Sequence, residues 1–519
     1  MRSWSPCVDA GDPSSDFSNE PEPNGGRIDM GAYGDAPEAT SASADTDADL
    51  LPDDWETHFF SDLALGPSDD PDGDGTPNAE EYRQGTNPNN LWYVDAAVAV
   101  SGPGTAPQAA TRTIQEAVDT ALPGDTVRVL PGRYTEAILV RKNLSLIGSG
   151  ADNTMMDSGG GPSAVTFTGP RYEDVDPKFP PPPEKYLLTI EGFTITNSTN
   201  DAVGPVYCSN ARITVKNCKI TANSATFGAS IFLDESSAIV TGCELSGNSA
   251  AEGGGAIYAL ASDVVLNDCR IGTNAASEGG GIFSWYSHPE IVRTVLSKNT
   301  AQKGGAIFCE ESPVVLMNCT VADNSAGEGA GAVHCQEIAP RQSLLVAMNS
   351  IIWGNGVAFS GRLRAEISFS DVEDTSFAGS DGNISAPPVF VDAEADDYRL
   401  GTGSPCIDAG NPDPAYNDED GLRCDMGAFG GMGAIGQLGE FPRMTHLTTE
   451  TDSHGRKSGV LYWFADPAGS FVLEAKNNMD DPWLPGTTVQ SDETWLHRWV
   501  LQYATELWQR RFYRLSTTR

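Results

Sequence analysis

Five asparagines recur at nearly constant spacing in the middle of the chain and constrain its fold more than any other feature. The intervals are 25, 26, 25 and 25 residues in the series Asn223, Asn248, Asn274, Asn299 and Asn324. Each interval contains a glycine-led strand and a second short strand. A unit of this size cannot bury an apolar face by itself, whereas stacked units bury one continuous core. The repeat therefore predicts a solenoid of about ten coils, roughly 45 to 50 Å long at the usual strand spacing.

The asparagines themselves have a structural interpretation. Stacked asparagine side chains at a turn hydrogen-bond to the coils above and below and tolerate left-handed backbone. We therefore expect one ladder at one corner of the solenoid rather than a ligand-binding site.

The amino-terminal end of the solenoid is predicted by a helical pattern. Residues 113 to 122 place Ile114, Ala117, Val118 and Ala121 on one helical face,. Such a helix would cap the open core before the first predicted strands, which are Thr126–Leu130, Ala137–Val140 and Leu144–Ile147.

A longer-range repeat suggests how the domains are arranged. SPCVDAGD at 5–12 and RIDMGAYG at 27–34 return as SPCIDAGN at 404–411 and RCDMGAFG at 423–430. Because the second copy closes a repetitive domain, we expect the first to end a preceding β-helix in a longer protein. The predicted domains are a tail and linker at 1–40, calcium loops at 41–90, the β-helix at 91–436 and a β-sandwich-like module at 440–519.

The strongest chemical signal is a twelve-residue calcium loop with oxygen ligands at positions 1, 3, 5, 7, 9 and 12, where position 7 offers its backbone carbonyl. Its predicted ligands are Asp70, Asp72, Asp74, Thr76, Asn78 and Glu81. A partial copy lies 25 residues earlier, with Asp45, Asp47, Asp49, Asp53 and Glu56 at positions 1, 3, 5, 9 and 12. Leu50 replaces the glycine expected at position 6, so that turn must be strained or different. The alternative interpretation is an acidic, solvated linker.

The charge distribution supports a cation partner and excludes two classes of anionic partner. The formal net charge is −40, and residues 1–90 hold 21 acidic side chains against 3 arginines. Nucleic acids and anionic membranes require clustered lysine and arginine. No apolar run approaches the length of a membrane span and no signal peptide is visible. We expect export through a missing upstream segment.

The cysteines form two columns at the repeat spacing. One contains Cys218, Cys243, Cys269 and Cys319, and the other Cys208, Cys309 and Cys335. Neighbouring coils would bring Cys309 and Cys335, or Cys218 and Cys243, close enough to bridge. Inward thiols in a stacked core more often act as small hydrophobes, so we expect free thiols.

These motifs resemble those of known families. The start YVD…TIQEAVDTALPGDTVRVLPGRYTE at 93–136 and the end SPCIDAG…DMGAFG resemble bacterial β-helix proteins of the choice-of-anchor Q type, over about two thirds of the chain. The glycine-led coils resemble repeats of polymorphic outer-membrane autotransporters, and the acidic loops resemble dockerins and thrombospondin type-3 repeats. The resemblance implies an all-β, right-handed parallel β-helix with a pectin-lyase-like fold, exposed at the cell surface or secreted.

Two functions follow as hypotheses. The first is a non-catalytic surface protein, adhesive, structural or carbohydrate-associated, that binds calcium; the alternative is a polysaccharide lyase or glycoside hydrolase. The coils offer only scattered basic side chains and two histidines, His288 and His334. We interpret these basic residues as solvated surface charge and expect no turnover: Arg212, Lys216, Lys219, Arg270, Arg293, Lys298 and Lys303. A row of aromatic residues with a tight aspartate or arginine cluster on the longest sheet would favour the enzyme.

Overall fold

The computed structural model describes residues 45–60, 62–71, 77–84, 88–161, 163–170, 185–199, 202–336, 343–418 and 420–431, and the backbone of six strands between 443 and 517. The first copy of the closing motif, at 5–34, lies outside the described residues. The chain divides into two compact units: Met1–Gly410 with Met426–Phe429, and Asn411–Asp425 with Gly430–Arg519. No helix in the described part is both long and apolar enough to cross a membrane.

Three long parallel sheets form the walls of the first unit, as far as its residues are described. The eleven-stranded sheet contains Leu91–Val94, Thr126–Val129, Leu144–Gly148, Leu187–Glu191, Arg212–Lys216, Ser237–Thr241, Asp263–Asn267, His288–Val292, Val314–Met317, Ser343–Met348 and Leu363–Ser368. The ten-stranded sheet contains Gly132–Tyr134, Thr154–Asp157, Thr194–Thr196, Lys219–Thr221, Glu244–Ser246, Arg270–Gly272, Val295–Ser297, Thr320–Ala322, Ile351–Trp353 and Asp371–Val372. The nine-stranded sheet contains Ile138–Val140, Val165–Thr168, Val206–Ser209, Ile231–Asp234, Ile257–Leu260, Ile282–Trp285, Ile307–Glu310, Val333–Gln336 and Phe359–Gly361.

Short pairs complete the first unit. Ser224–Phe227 pairs with Ser249–Gly253, and Thr300–Ala301 pairs with Ser325–Ala326. Phe390–Asp392 and Asp397–Leu400 form an antiparallel pair. The helices are Asp53–Phe59, Asn78–Gln84 and Ile114–Thr120, with short 3-10 turns at Pro107–Ala109 and Thr375–Phe377.

Each coil contributes one strand to each long sheet, so equivalent side chains stack at the strand spacing. In Ser237–Thr241, for example, Ala238 and Val240 face the core, where they follow Ile213 and Val215 of the preceding coil. The inward side chains of all three sheets form one continuous apolar cluster. The sequence prediction of an all-β parallel β-helix is confirmed.

Single left-handed residues turn the chain at the corner between the nine-stranded and the eleven-stranded sheet. Glu235, Ala261, Tyr286 and Glu311 occupy this position in successive coils, with φ between 46° and 49°. Left-handed backbone costs non-glycine residues roughly 1–2 kcal/mol each. The strands that each turn joins must offset this cost, and the turn residue projects outward from the rod.

The helix at the amino-terminal end was predicted correctly. Thr113 caps it: its side chain accepts a hydrogen bond from the Glu116 backbone, and the Glu116 carboxylate accepts one from Thr113 in return. Ile114, Ala117 and Val118 are buried. The predicted strands that follow appear at Thr126–Val129, Ile138–Val140 and Leu144–Gly148.

The asparagine ladder is also confirmed. In each coil the Asn side-chain oxygen accepts from both the backbone N–H and the side-chain amide of the preceding asparagine, at 2.9–3.1 Å. The ladder extends one coil further, to Asn355, which accepts from Asn324. The repeat spacing did not reveal Asn355, because Asn355 follows Asn324 by 31 residues rather than 25.

The expectation of free thiols was wrong for one pair. Cys309 and Cys335 are directly opposed on neighbouring strands of the nine-stranded sheet and form a disulfide. The other two bridging candidates, Cys218 and Cys243, remain buried thiols. Cys208, Cys269 and Cys319 are buried thiols as well.

The part of the closing motif in the first unit lies against the outer face of the ten-stranded sheet. Gly427 donates its backbone N–H to the Asn349 carbonyl at 2.7 Å, and Ala428 donates to the Thr320 hydroxyl at 3.0 Å. Ala428 packs with Val295, Ala322 and Tyr398 in a separate apolar cluster. The segment therefore covers one flank of the rod.

Asp371, in the last strand of the ten-stranded sheet, contacts another part of the closing motif, at Cys406. Its buried carboxylate accepts from the Ala386 backbone at 3.1 Å and from the Cys406 thiol at 3.2 Å. Burial raises the pKa of Asp371 to about 6. The folded protein therefore keeps a proton here over a pH range in which the unfolded chain has lost it.

We predict that this proton makes stability depend on pH. Because the folded pKa exceeds the unfolded value, the contribution of Asp371 is fully present below about pH 4 and is lost as pH rises through about 6, by about 2–3 kcal/mol in total. Calorimetric unfolding of wild type and Asp371→Asn across pH 4–7.5 checks this. The wild type should lose stability relative to the variant as pH rises, and parallel curves would contradict the assignment.

The second unit contains antiparallel strands. Arg443–Thr451, Lys457–Phe464 and Leu496–Leu501 form one described three-stranded sheet, and Thr487–Gln490, Ser470–Lys476 and Phe512–Thr517 form another. This arrangement agrees with the predicted all-β class of this region. The predicted domain limits remain predictions.

Candidate calcium site and the outer faces of the coils

The first acidic loop brings three of its predicted ligands to one point. One carboxylate oxygen from each of Asp45, Asp47 and Asp49 lies within 4.8 Å of the other two. Backbone N–H groups of Asp49 and Leu50 donate to Asp45 at 3.1 Å and hold the loop closed. Three hard oxygens at this separation suit a cation such as calcium.

Glu56, in the first turn of the helix Asp53–Phe59, lies outside this group but near enough to be repelled by its carboxylates. It is completely buried, and neither side-chain oxygen has a hydrogen-bond partner. Burial, together with repulsion from Asp49, Asp47, Asp53 and Asp45, raises the pKa of Glu56 to about 7. A buried carboxylate without a partner carries a large desolvation cost, which a bound cation would offset.

Asp53 is positioned differently from the other predicted ligands. Its two carboxylate oxygens accept from the backbone N–H of Thr46 at 2.6 Å and from the Thr46 hydroxyl at 2.5 Å. The hydroxyl hydrogen bond is the main reason that the pKa of Asp53 lies below its usual value. Asp53 therefore stabilises the loop, and the structure does not bring it into the three-carboxylate group.

The loop also shows where the missing glycine matters. Leu50 has φ of 80° and its side chain is 82% exposed. The turn therefore keeps the left-handed conformation that a glycine would adopt without strain. The sequence analysis anticipated a strained or different turn, and it is strained.

The second loop is described only in part. Asp72, Asp74 and Thr76 lie outside the described residues. Asn78 and Glu81 are buried, and Asn78 donates its side-chain amide to the Gly66 carbonyl at 2.9 Å. Asp70 is exposed just before the undescribed stretch.

The two loops are joined through the helices that follow them. Trp55, on the first helix, is buried, and its ring centroid lies 5.8 Å from that of Tyr82 on the helix Asn78–Gln84. Phe59 and Phe60 pack edge-on against the same tryptophan at 5.4 and 5.5 Å. A small aromatic core therefore holds the loops together as one module.

The basic side chains of the coils are less scattered than the sequence indicated. Arg270 donates to the backbone carbonyl of Asp396 at 2.6 Å, and Lys298 lies 2.7 Å from the Asp396 carboxylate. Lys298 also donates to the Glu394 carbonyl at 2.9 Å. These two residues thus hold the returning segment on the ten-stranded sheet, and these surface charges have specific partners that the sequence did not indicate.

The outer face of the eleven-stranded sheet shows no aromatic row where its strands are described. From 212 to 348 its central outward column is mostly aliphatic: Thr214, Ile239, Val265, Glu290, Val315 and Val346. Among described residues, the only group of three or more His, Cys, Asp or Glu that could hold a metal is the one formed by Asp45, Asp47 and Asp49.

An aromatic row occurs instead on the outer face of the nine-stranded sheet. Successive ring centroids are 5.1, 4.5, 5.0 and 5.3 Å apart along Phe232, Tyr258, Phe283, Phe308 and His334. Tyr258, Phe283 and Phe308 are buried, so this row is largely a second core. The signal was present in the sequence, because each ring stands in a glycine-led strand of the repeat, whereas the predicted aromatic row was expected only on the longest sheet.

Comparison with known proteins supports the fold. A family model described as a right-handed β-helix region matches residues 184–379. No match was found among curated proteins. Together with the long parallel sheets, the family match shows an all-β chain whose central part is a right-handed parallel β-helix.

Proposed function

We propose that this chain is a non-catalytic, calcium-binding β-helix protein of the cell surface or the extracellular space, with its rod available to polysaccharides or other surface ligands. The observation that carries the proposal is the buried carboxylate of Glu56, which has no hydrogen-bond partner and adjoins three converging aspartates. The three aspartates repel each other and the nearby Glu56, and a bound cation would offset that repulsion. Their oxygen-only character favours calcium over softer metals.

The ligand set fits calcium through this chain's own residues. Asp45, Asp47 and Asp49 would each offer one oxygen, and Glu56 would close the site from the helix. The bound ion would supply positive charge and hold the loop together. Asp53, bound to Thr46, would keep the loop in the shape in which the three aspartates converge.

The non-catalytic part of the proposal rests on the coils. Arg270 and Lys298, two candidates for a catalytic base, are engaged by Asp396 and Glu394. A β-helix hydrolase would need two carboxylates placed for acid and base work on one glycosidic bond. No observation on the described coils favours that activity over binding.

A titration tests the calcium proposal. Calorimetry should give a dissociation constant of about 10⁻⁴ to 10⁻³ M for the wild type, and Asp47→Asn should weaken binding about tenfold through loss of one charged ligand. Asp54→Asn is the matched control. It removes the same charge as Asp47→Asn, but from an exposed position on the adjoining helix. Absence of binding at millimolar calcium, or equal loss in both variants, would contradict the site.

A further inference from the structure

One corner of the rod presents exposed aromatic rings. Trp285 ends its strand in the nine-stranded sheet, and Tyr286 is the left-handed turn residue that follows. Their rings are stacked, with centroids 5.8 Å apart and planes inclined by 28°. Tyr286 is 49% exposed and Trp285 is partly exposed, in contrast to the covered rings of the neighbouring row. This pair, a platform that is partly open to solvent, also packs on one side against the aromatic row.

Carboxylates lie on both sides of this platform along the rod. Trp285 is in direct register with Glu310 on the next strand, and Tyr286 donates its backbone N–H to the Glu310 carbonyl at 3.1 Å. Glu311 is the turn residue of that next coil. Two coils earlier, Asp234 and Glu235 occupy the positions equivalent to Trp285 and Tyr286.

Four carboxylates define this corner, those of Asp234, Glu235, Glu310 and Glu311, and the nearby cations are Lys185, Arg212 and Lys303. Burial, and then repulsion from Glu278 and Glu311, raises the pKa of Glu310. Lys303 lies 3.8 Å from Glu278, and Lys185 donates to the Glu235 carbonyl at 2.7 Å. Neither lysine is paired with Glu310 or Glu311 in these contacts, so a cationic ligand would be attracted to the platform.

We propose that this corner, defined by Asp234, Glu235, Trp285, Tyr286, Glu310 and Glu311, binds a polysaccharide of amino sugars with free amines. The apolar face of a sugar ring packs on an aromatic face, and an ammonium group is attracted to the same rings and to flanking carboxylates. A neutral glycan would use the rings alone, and a uronate polymer would be repelled. A polysaccharide with free amines can use both the aromatic rings and the carboxylates.

The geometry also sets the direction of the ligand. Asp234, Leu260, Trp285 and Glu310 are in register on four successive coils, so the column from Asp234 to Glu310 spans three strand steps, or roughly 14 Å along the rod axis,. A polymer aligned with the axis can therefore contact the platform and both acidic ends together. This inference rests on the carbohydrate part of the proposed function and is independent of the calcium site.

The test uses the full chain and three probes: glucosamine oligomers, N-acetylglucosamine oligomers of equal length, and oligolysine. Calorimetry should show binding of the free-amine oligomers, with the acetylated ones at least about tenfold weaker because the charge is lost. Oligolysine, which has the charge without the rings, should also bind at least about tenfold more weakly. The measurements are made with calcium and with a chelator, so failure of this site and failure of the calcium proposal are separable.

Variants assign the binding to the corner. Trp285→Ala and the double variant Glu310→Gln with Glu311→Gln should each weaken glucosamine-oligomer binding about tenfold. Phe429→Ala, at a ring 50% exposed elsewhere on the first unit, should leave it unchanged. The double variant keeps the test valid if Trp285→Ala fails to fold, which circular dichroism detects. No binding, equal binding of acetylated oligomers, or oligolysine binding as tight as that of glucosamine oligomers would each overturn the proposal.

Discussion

Replacing Asn274 by alanine should lower the free energy of unfolding of the β-helix by about 3–4 kcal/mol, since several buried polar groups lose their partners at once. Asn274 accepts from the backbone and the side chain of Asn248 at 3.0 Å. It donates to the Leu245 carbonyl at 2.9 Å and to Asn299 at 3.0 Å. Alanine can hydrogen-bond to none of these groups. Each buried group left without a partner lowers stability by about 1–3 kcal/mol, and relaxation of the structure recovers part of that loss.

Denaturant unfolding followed by circular dichroism measures this change. Asn153→Ala is the control, because Asn153 is exposed and its side chain donates only to the nearby Ser149 carbonyl. We expect a change below about 0.5 kcal/mol there, as for most surface substitutions. If Asn274→Ala unfolded at the same denaturant concentration as the control, the ladder would not be a main source of stability.

The ladder shows what sequence spacing could predict. A period of 25 residues requires that equivalent positions stack, and asparagine at a turn has a known way to use stacking. The spacing could not reveal Asn355, because the coil before it is longer and the column must be followed through hydrogen bonds. The same limit hid the aromatic row, whose members share a strand position but fall on a sheet other than the longest.

Contacts between segments that are far apart along the chain could not be predicted from the sequence. Arg270 and Lys298 looked like isolated surface charges because their partner, Asp396, lies 126 and 98 residues further along the chain. The Cys309–Cys335 disulfide was one of several pairings that the spacing allowed. Which pair closes depends on side-chain direction in the packed core, and a repeat period does not encode it.

In the proposed calcium module, the spacing predicted that three aspartates lie together, whereas calcium binding itself stays a prediction. Asp45, Asp47 and Asp49 converge as the motif requires. Asp53 is bound to Thr46, which lies between two predicted ligands and has no place in the motif. The burial of Glu56 depends on how the loop packs against the helix that carries it, a tertiary property that spacing alone does not contain.

That burial leads to the second large effect, a pH dependence of calcium binding. With its pKa raised to about 7 in the calcium-free protein, Glu56 is mostly protonated at pH 6 and mostly ionised at pH 8. Calcium requires the carboxylate, so the ion must displace the proton. Affinity at the first loop should therefore be about tenfold lower at pH 6 than at pH 8. Near pH 7, binding should release about half a proton.

The calcium-free module should show the opposite trend in stability. The folded pKa of Glu56 exceeds its ordinary value of 4.5, so its contribution to stability is present below about pH 4.5 and is lost as pH rises through about 7,. Calcium then stabilises the folded module most where the free module is weakest, at neutral pH and above. Chelation should consequently loosen residues 45–85 more at pH 8 than at pH 6.

Glu56→Gln separates this proton from every other titrating group. Glutamine keeps the size of the side chain and cannot ionise, so calcium binding at the first loop should become weaker and nearly independent of pH between 6 and 8. Asp54→Asn removes a charge from the same helix and should retain the tenfold pH dependence. Calorimetry in two buffers of different ionisation enthalpy counts the released protons. If wild type bound calcium equally at pH 6 and pH 8 without releasing protons, Glu56 would not be a ligand, and the first loop would have to hold its cation through the three aspartates alone.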